Sequence, residues 1–118
     1  MLDPSGPEFG LSYEHTTVGD TAVLDLRGEI DLATGADLSA QLDRALAGVP
    51  GLLVVDLSAV DFLGSAGLSA LIAARDSAER QGTQVRLVCN RTTRRTIELT
   101  GLTQQFTLAD DRAAALER

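Results

Sequence analysis

Apolar and polar positions change period several times along the chain, and each change predicts an element. From Leu11 to Val18 and from Thr21 to Arg27, short runs rich in Val, Thr, Leu and Tyr flank Gly19-Asp20. That pair supplies the positive φ angle a hairpin turn needs. In the second run Ala22, Leu24 and Leu26 alternate with Val23, Asp25 and Arg27, the spacing of a strand with one face on a core. Between Thr34 and Ala47 the period lengthens. Leu38, Leu42, Ala45, Leu46 and Val49 fall on one side of a helix that Gly48, Pro50 and Gly51 terminate. Leu52 to Leu57 is a nearly continuous apolar run, as expected of a central strand covered on both faces. Ser58 to Gly64 reads as a loop, and Ser65 to Gln81 as a second helix stopped by Gly82. Val85 to Cys89 alternates as a strand. Asn90 or Thr92 then caps a helix that Gly101 ends, Phe106 to Leu108 forms a last strand, and Asp110 to Leu116 a final helix opened by two acids.

A hairpin followed by alternating helices and strands implies an α/β fold, with one mixed, largely parallel sheet packed with helices. In such a sheet the strand-to-helix loops leave from the carboxyl edges and gather on one rim. That rim would hold Gly28 to Asp31, Ser58 to Ser65, and Cys89 to Arg91, and a site is expected there. The 118 residues suit a single core. We read residues 1–10, with Pro4, Gly6, Pro7 and Gly10, as a flexible tail and residues 11–118 as one domain.

Composition removes several functions. Aromatic residues are 3% and tryptophan is absent, so platforms for stacking bases are lacking. The formal net charge is −7, which repels nucleic acid. All ten basic residues are arginine, and without lysine there is no P-loop; the glycines do not make a dinucleotide fingerprint either. Cys89 stands alone, so neither an internal disulfide nor a cysteine-built metal site is expected, and a cytoplasmic location fits best. No cofactor is implied, and no apolar run approaches the roughly 20 residues of a membrane span. His15 is expected on the surface, Cys89 as a small buried hydrophobe, and Phe62 as the anchor of its loop in the core.

The segment Asp61-Phe62-Leu63-Gly64-Ser65-Ala66-Gly67-Leu68 enters its helix through small residues. Ser65 can cap that helix, or its hydroxyl can mark a place where helix N–H groups meet an anion. Asp31 suits a cap for the first helix. Arg91, Arg94 and Arg95 make the basic cluster, either a solvated face or a contact for an acidic group. Two nearby carboxylates, Glu29 and Asp31, lack the further polar constellation that acid–base catalysis needs, so an enzyme is not expected.

The element order, with Gly28-Glu29-Ile30-Asp31 before the first long helix and Phe62-Leu63-Gly64-Ser65-Ala66-Gly67-Leu68 before the second, resembles the STAS domain of bacterial anti-sigma factor antagonists. The resemblance runs from about Leu11 to Leu116. It implies a partner-switching protein that binds an anti-sigma factor, a serine kinase-like ATPase, and so releases a sigma factor. The partner-binding face it implies comprises Glu29, Asp31, Gly64, Ser65, Ala66, Gly67 and Leu68. In such relatives the second motif commonly reads Asp-Ser-Ser-Gly or Asp-Ser-Thr-Gly, with the second hydroxyl residue phosphorylated. Here Gly64 stands at the Asp position, Ser65 at the first serine and Ala66 at the usual phosphoacceptor. Two expectations follow: binding without the usual off-signal, or phosphorylation of Ser65 instead. A monomer or weak homodimer is expected. A nucleotide or small-ligand sensor using the same rim, and a stress-signalling scaffold, are the alternatives.

Overall fold

The computed structural model describes residues 10–117. The tail read over residues 1–10 therefore lies, Gly10 apart, outside the described residues. Gly10 itself is held, its carbonyl accepting a hydrogen bond from the Glu29 amide at 3.0 Å.

Five strands form one sheet in the order β1 (Leu11–Val18), β2 (Thr21–Ile30), β3 (Leu52–Leu63), β4 (Gln84–Val88) and β5 (Thr107–Ala109). β1 pairs antiparallel with β2, and Gly19, at φ 57°, makes the tight turn between them. The remaining neighbours are parallel. Helices α1 (Gly35–Ala47), α2 (Ser65–Gln81) and α3 (Arg91–Leu99) make the three crossovers, and α4 (Arg112–Leu116) follows β5. All three crossovers step across the sheet in one direction. Residues of α1, α2 and α3 share one core, which places the three helices on the same face, as crossovers of one hand require.

Leu24 and Leu26 of β2, Leu53, Val55 and Leu57 of β3, and Leu87 of β4 meet Leu38, Leu42, Leu71 and Ile97 from these helices in the main core. The opposite face carries a smaller core, Val23, Leu52, Val54 and Val88, closed by Ala115 of α4. Because β3 is covered on both sides, its first half must be apolar at nearly every position, as the run Leu52 to Leu57 anticipates.

Two boundaries differ from the sequence reading, for one reason. Ser58 to Gly64 is not a loop: β3 continues to Leu63, and β2 continues beyond Arg27 to Ile30, the two remaining paired to the end. Register shifts between Asp25 and Arg27 and between Gly28 and Glu29 break the alternation. On β3 the core then receives Leu57, Val60 and Leu63, a spacing of three that no two-residue template detects. A short 3-10 turn at Thr103–Gln105 was likewise not anticipated.

Candidate functional site

The extra length of β2 and β3 carries their ends past the rest of the sheet. Gly64 donates its amide to the Ile30 carbonyl at 2.8 Å, which ties the start of α2 to the end of β2. A Cβ built on Gly67 would lie 2.5 Å from Ile30 Cγ2 and 2.7 Å from Leu63 Cδ1. Only a glycine lets the first turn of α2 sit this close to both strands. The starts of the two helices also abut, since a Cβ on Gly35 would come within 3.0 Å of the Ala66 Cβ. Gly28 to Asp31 and Gly64 to Ala66, far apart in sequence, thus form one surface.

Of the residues expected to bind a partner, Glu29 and Ser65 are exposed, and Asp31, Gly64 and Ala66 are partly so. Gly67 and Leu68 are buried against the core; they hold the surface in place from beneath. Ser65 is not the cap of α2. The cap position belongs to Gly64, in extended conformation and without a side-chain bond, and Ser65 is the first helical residue. Asp31 does cap the lead-in to α1: its Oδ1 accepts the amides of Ala33 at 3.0 Å and Thr34 at 3.1 Å. The Thr34 hydroxyl completes the turn, accepting from the Asp31 amide at 2.9 Å and donating to the Glu29 carbonyl at 2.8 Å.

Phe62 is not an anchor in the core. It is 50% exposed and its ring lies over Gly64, where a Cβ would be 3.0 Å from Cε2 and 3.3 Å from Cζ. Leu32 is 91% exposed at the other lip of the same end. No arginine occurs between Gly28 and Asp43, or between Ala45 and Ala74. Among the described residues no ion pair involves Glu29, Asp31, Asp37 or Asp61. The surface carries two large exposed apolar groups and several carboxylates, and the exposed Arg27, paired with Asp25, borders it at Gly28.

The third loop of the expected rim meets β3 at Ser58 to Val60, opposite Gly28 in the register, and stops short of Leu63 and the start of α2. Asn90 caps α3, its Oδ1 accepting the Thr93 amide at 2.8 Å, and its Nδ2 donates to the Val60 carbonyl at 2.8 Å. β4 itself ends at Val88, opposite Asp56 and seven residues before Leu63 on β3. Of the basic cluster on α3, Arg94 pairs with Asp110 at 2.7 Å, while Arg91 and Arg95 are exposed. His15 is exposed, and Cys89 is buried, which pushes its thiol pKa up.

A second polar constellation was missed from sequence. Asp56 is 4% exposed inside the apolar run of β3, and Arg112 of α4 donates to its Oδ2 through Nε at 3.0 Å and Nη2 at 2.7 Å. Asp25 on the neighbouring strand lies 3.2 Å from the same guanidinium. Burial pushes the Asp56 carboxyl up, but bonds from the Ser58 hydroxyl and amide and from Arg112 outweigh it and hold the pKa below the ordinary value. Arg86 grips the far end of α4, donating to the carbonyls of Ala115 and Glu117. The one signal was an aspartate within an apolar run, and its partner lies 56 residues away.

A groove of 960 Å³ runs beside β4 and β5 and is lined by none of the residues at the end of β2 and β3. Among the described residues, no group of His, Cys, Asp or Glu could hold a metal ion, and no helix is long and apolar enough to cross a membrane.

Residues 12–115 match the family model of the STAS domain. The anti-sigma-F factor antagonist RsfB of Mycobacterium tuberculosis is 44% identical over 98 residues, covering 78% of each chain. An anti-sigma factor antagonist from Mycobacterium paratuberculosis has a similar solved structure, with a TM-score of 0.80 at 33% identity over 98% of this chain and 96% of that one. The antagonist SpoIIAA in its unphosphorylated form gives a TM-score of 0.72 at 19% identity, over 87% of this chain and 92% of its own, a likeness of fold alone.

Proposed function

Because this chain belongs to the STAS-domain family of anti-sigma factor antagonists, we propose that it captures an anti-sigma factor on the joined ends of β2 and β3 and so frees a sigma factor for transcription. The observation that carries the reading is the one surface made by Gly28–Asp31 and Gly64–Ala66, acidic and free of arginine, in a chain 44% identical to RsfB. Its chemistry is association, not catalysis. A partner with basic side chains around its contact face is attracted and oriented by Glu29, Asp31 and Asp61. Competition then needs only mass action: a micromolar complex, about −8 kcal/mol, redistributes the anti-sigma pool when the antagonist is abundant.

The proposed partner is of the kinase-like ATPase class, but its usual means of release is missing. A phosphoryl group adds about −1.5 to −2 charges and would repel an interface already lined by carboxylates. Ala66 has no hydroxyl to carry it. Ser65 is one residue earlier, rotated by about 100° on the helix, so a kinase aligned on position 66 misses it. The chain is an antagonist without the customary off-switch.

The test is a complex of the anti-sigma-F factor that RsfB antagonises with its sigma factor. Adding the chain should release the sigma factor in proportion to concentration, and prior incubation with ATP should leave both release and the mass of the chain unchanged. Failure to release sigma would sink the antagonist reading, and a phosphate on Ser65 that abolishes release would sink its independence from phosphorylation.

A further inference from the structure

The site reading leaves two exposed apolar side chains at the acidic end without a task. Phe62 and Leu32 are large, apolar and solvent-facing at the ends of β3 and β2. Phe62 sits opposite Glu29 in the parallel register, and Leu32 follows Ile30, the residue opposite Leu63, by two positions. Phe62 is half exposed and Leu32 almost wholly so, and two large apolar groups facing water at one end of a sheet, bordered by polar residues, are the kind of feature that marks an interaction surface. The Phe62 ring is fixed in position. The ring rests on the bare backbone of Gly64, whose absent side chain leaves the space the ring fills. The glycine has an ordinary extended conformation, φ −91° and ψ −177°, so backbone strain does not require it; the ring does.

We propose, resting on the antagonist reading, that Phe62 and Leu32 are the binding hot spot of this surface and that Gly64 is a specificity-determining residue that positions Phe62. The occupant is a protein face with an apolar pocket bordered by arginine or lysine. Charge complementarity selects it: Glu29 and Asp61 are exposed beside the two apolar groups, and Asp31 is partly so. No arginine of this chain lies within Gly28 to Asp43 or Ala45 to Ala74. Such an arrangement, an apolar centre with a charged border, is how interfaces concentrate affinity in a few central side chains while the border orients approach. It also gives position 64 a consequence beyond the loss of an acid. Any side chain there would come within about 3.0 Å of the ring and turn it off the backbone, changing the shape presented to the partner.

The experiment titrates the anti-sigma-F factor that RsfB antagonises with wild-type chain and with Phe62→Ala, Leu32→Ala, Gly64→Ala and Leu99→Ala, each checked for an unchanged thermal melt. Leu99 is an exposed leucine at the end of α3 and serves as the control. Phe62→Ala and Leu32→Ala should each weaken binding at least about tenfold, as hot spots do; Gly64→Ala should weaken it by a smaller factor, and Leu99→Ala not at all. The chain has no tryptophan, so Phe62→Trp adds a reporter whose emission, after subtraction of the same mixture with wild-type chain, should shift to the blue when the complex forms. If wild-type chain does not bind this factor, the antagonist reading itself fails. If it binds and Phe62→Ala and Leu32→Ala bind as well, the hot spot is overturned while the antagonist reading stands. Loss of a homodimer in Phe62→Ala, seen by sedimentation without partner, would also overturn it, since the occupant would then be a second copy.

Discussion

The carboxyl end and the middle of the sheet's central strand are built on opposite principles. At its carboxyl end, β3 runs with β2 beyond the other strands into a surface that has carboxylates and exposed apolar groups, none of the carboxylates Glu29, Asp31 and Asp61 being in an ion pair among the described residues. Nearer its middle, the same strand carries Asp56, whose charge is met by Arg112 from a helix of five residues. The first region leaves its carboxylates to water; the second meets its buried carboxylate from within. A buried carboxylate without a partner would cost several kcal/mol, so the clasp is what lets α4, with Ala115 as its one buried residue, close the second face. An exposed carboxylate surrounded by water carries no such cost, so the end proposed to dock a partner keeps its carboxylates without loss of stability.

This contrast can be broken most forcefully from beneath the acidic end. Gly67→Val places methyl groups where a Cβ alone already meets Ile30 Cγ2 at 2.5 Å, and we expect a loss of about 3 kcal/mol in urea unfolding, the upper range for overpacking. Arg112→Ala leaves Asp56 buried without its cation. Because the guanidinium is 44% exposed, water compensates part of the loss, and about 2 kcal/mol is expected, with fast hydrogen exchange at the Ala115 amide while the acidic end stays protected.

Acid sharpens the same contrast. The folded-state pKa of Asp56 lies below its ordinary 3.8, so the stability it contributes is fully present above that value and is lost as pH falls through the lower, folded one. Between these two values the unfolded chain binds the extra proton, and stability should rise with pH. Asp56→Asn should flatten that slope in melts between about pH 2 and pH 5, the window over which a depressed carboxylate of this kind titrates. The smallest effect is expected at Ser65. Its hydroxyl caps nothing, so Ser65→Ala should change stability by less than about 0.5 kcal/mol in the same unfolding assay.

Much of the fold was legible because local chemistry decided it. Gly19 in its turn, the stripe Leu38, Leu42, Ala45 and Leu46, and Asn90 at the head of α3 each settle an element within a few residues. What escaped depends on pairing between distant segments. The last third of β3 reads as loop because it carries an extra residue at each of two register shifts against β2, which converts its buried spacing from two to three. Phe62 reads as core because it is aromatic and follows a buried strand, whereas the bend into α2 turns it outward over Gly64. Ser65 reads as a cap because hydroxyl residues favour that position, yet the cap falls on Gly64, one residue earlier, whose amide donates a hydrogen bond to the Ile30 carbonyl. The acidic end was visible in the sequence through Glu29 and Asp31; that the loop at Cys89–Arg91 meets β3 at Ser58 to Val60 and stops short of Leu63 was not, because the extra length of β2 and β3 could not be counted.

The division of labour between the two regions is tested most directly by calorimetric titration of the anti-sigma-F factor with two variants, Glu29→Arg/Asp61→Arg at the acidic end and Arg112→Ala at the clasp, at a temperature where both are folded. The charge reversal should weaken the complex by more than about tenfold, since like charges then face each other across the interface, and Arg112→Ala should bind as wild type does. Full affinity in the charge-reversed variant, or its loss in Arg112→Ala, would show that the partner docks elsewhere.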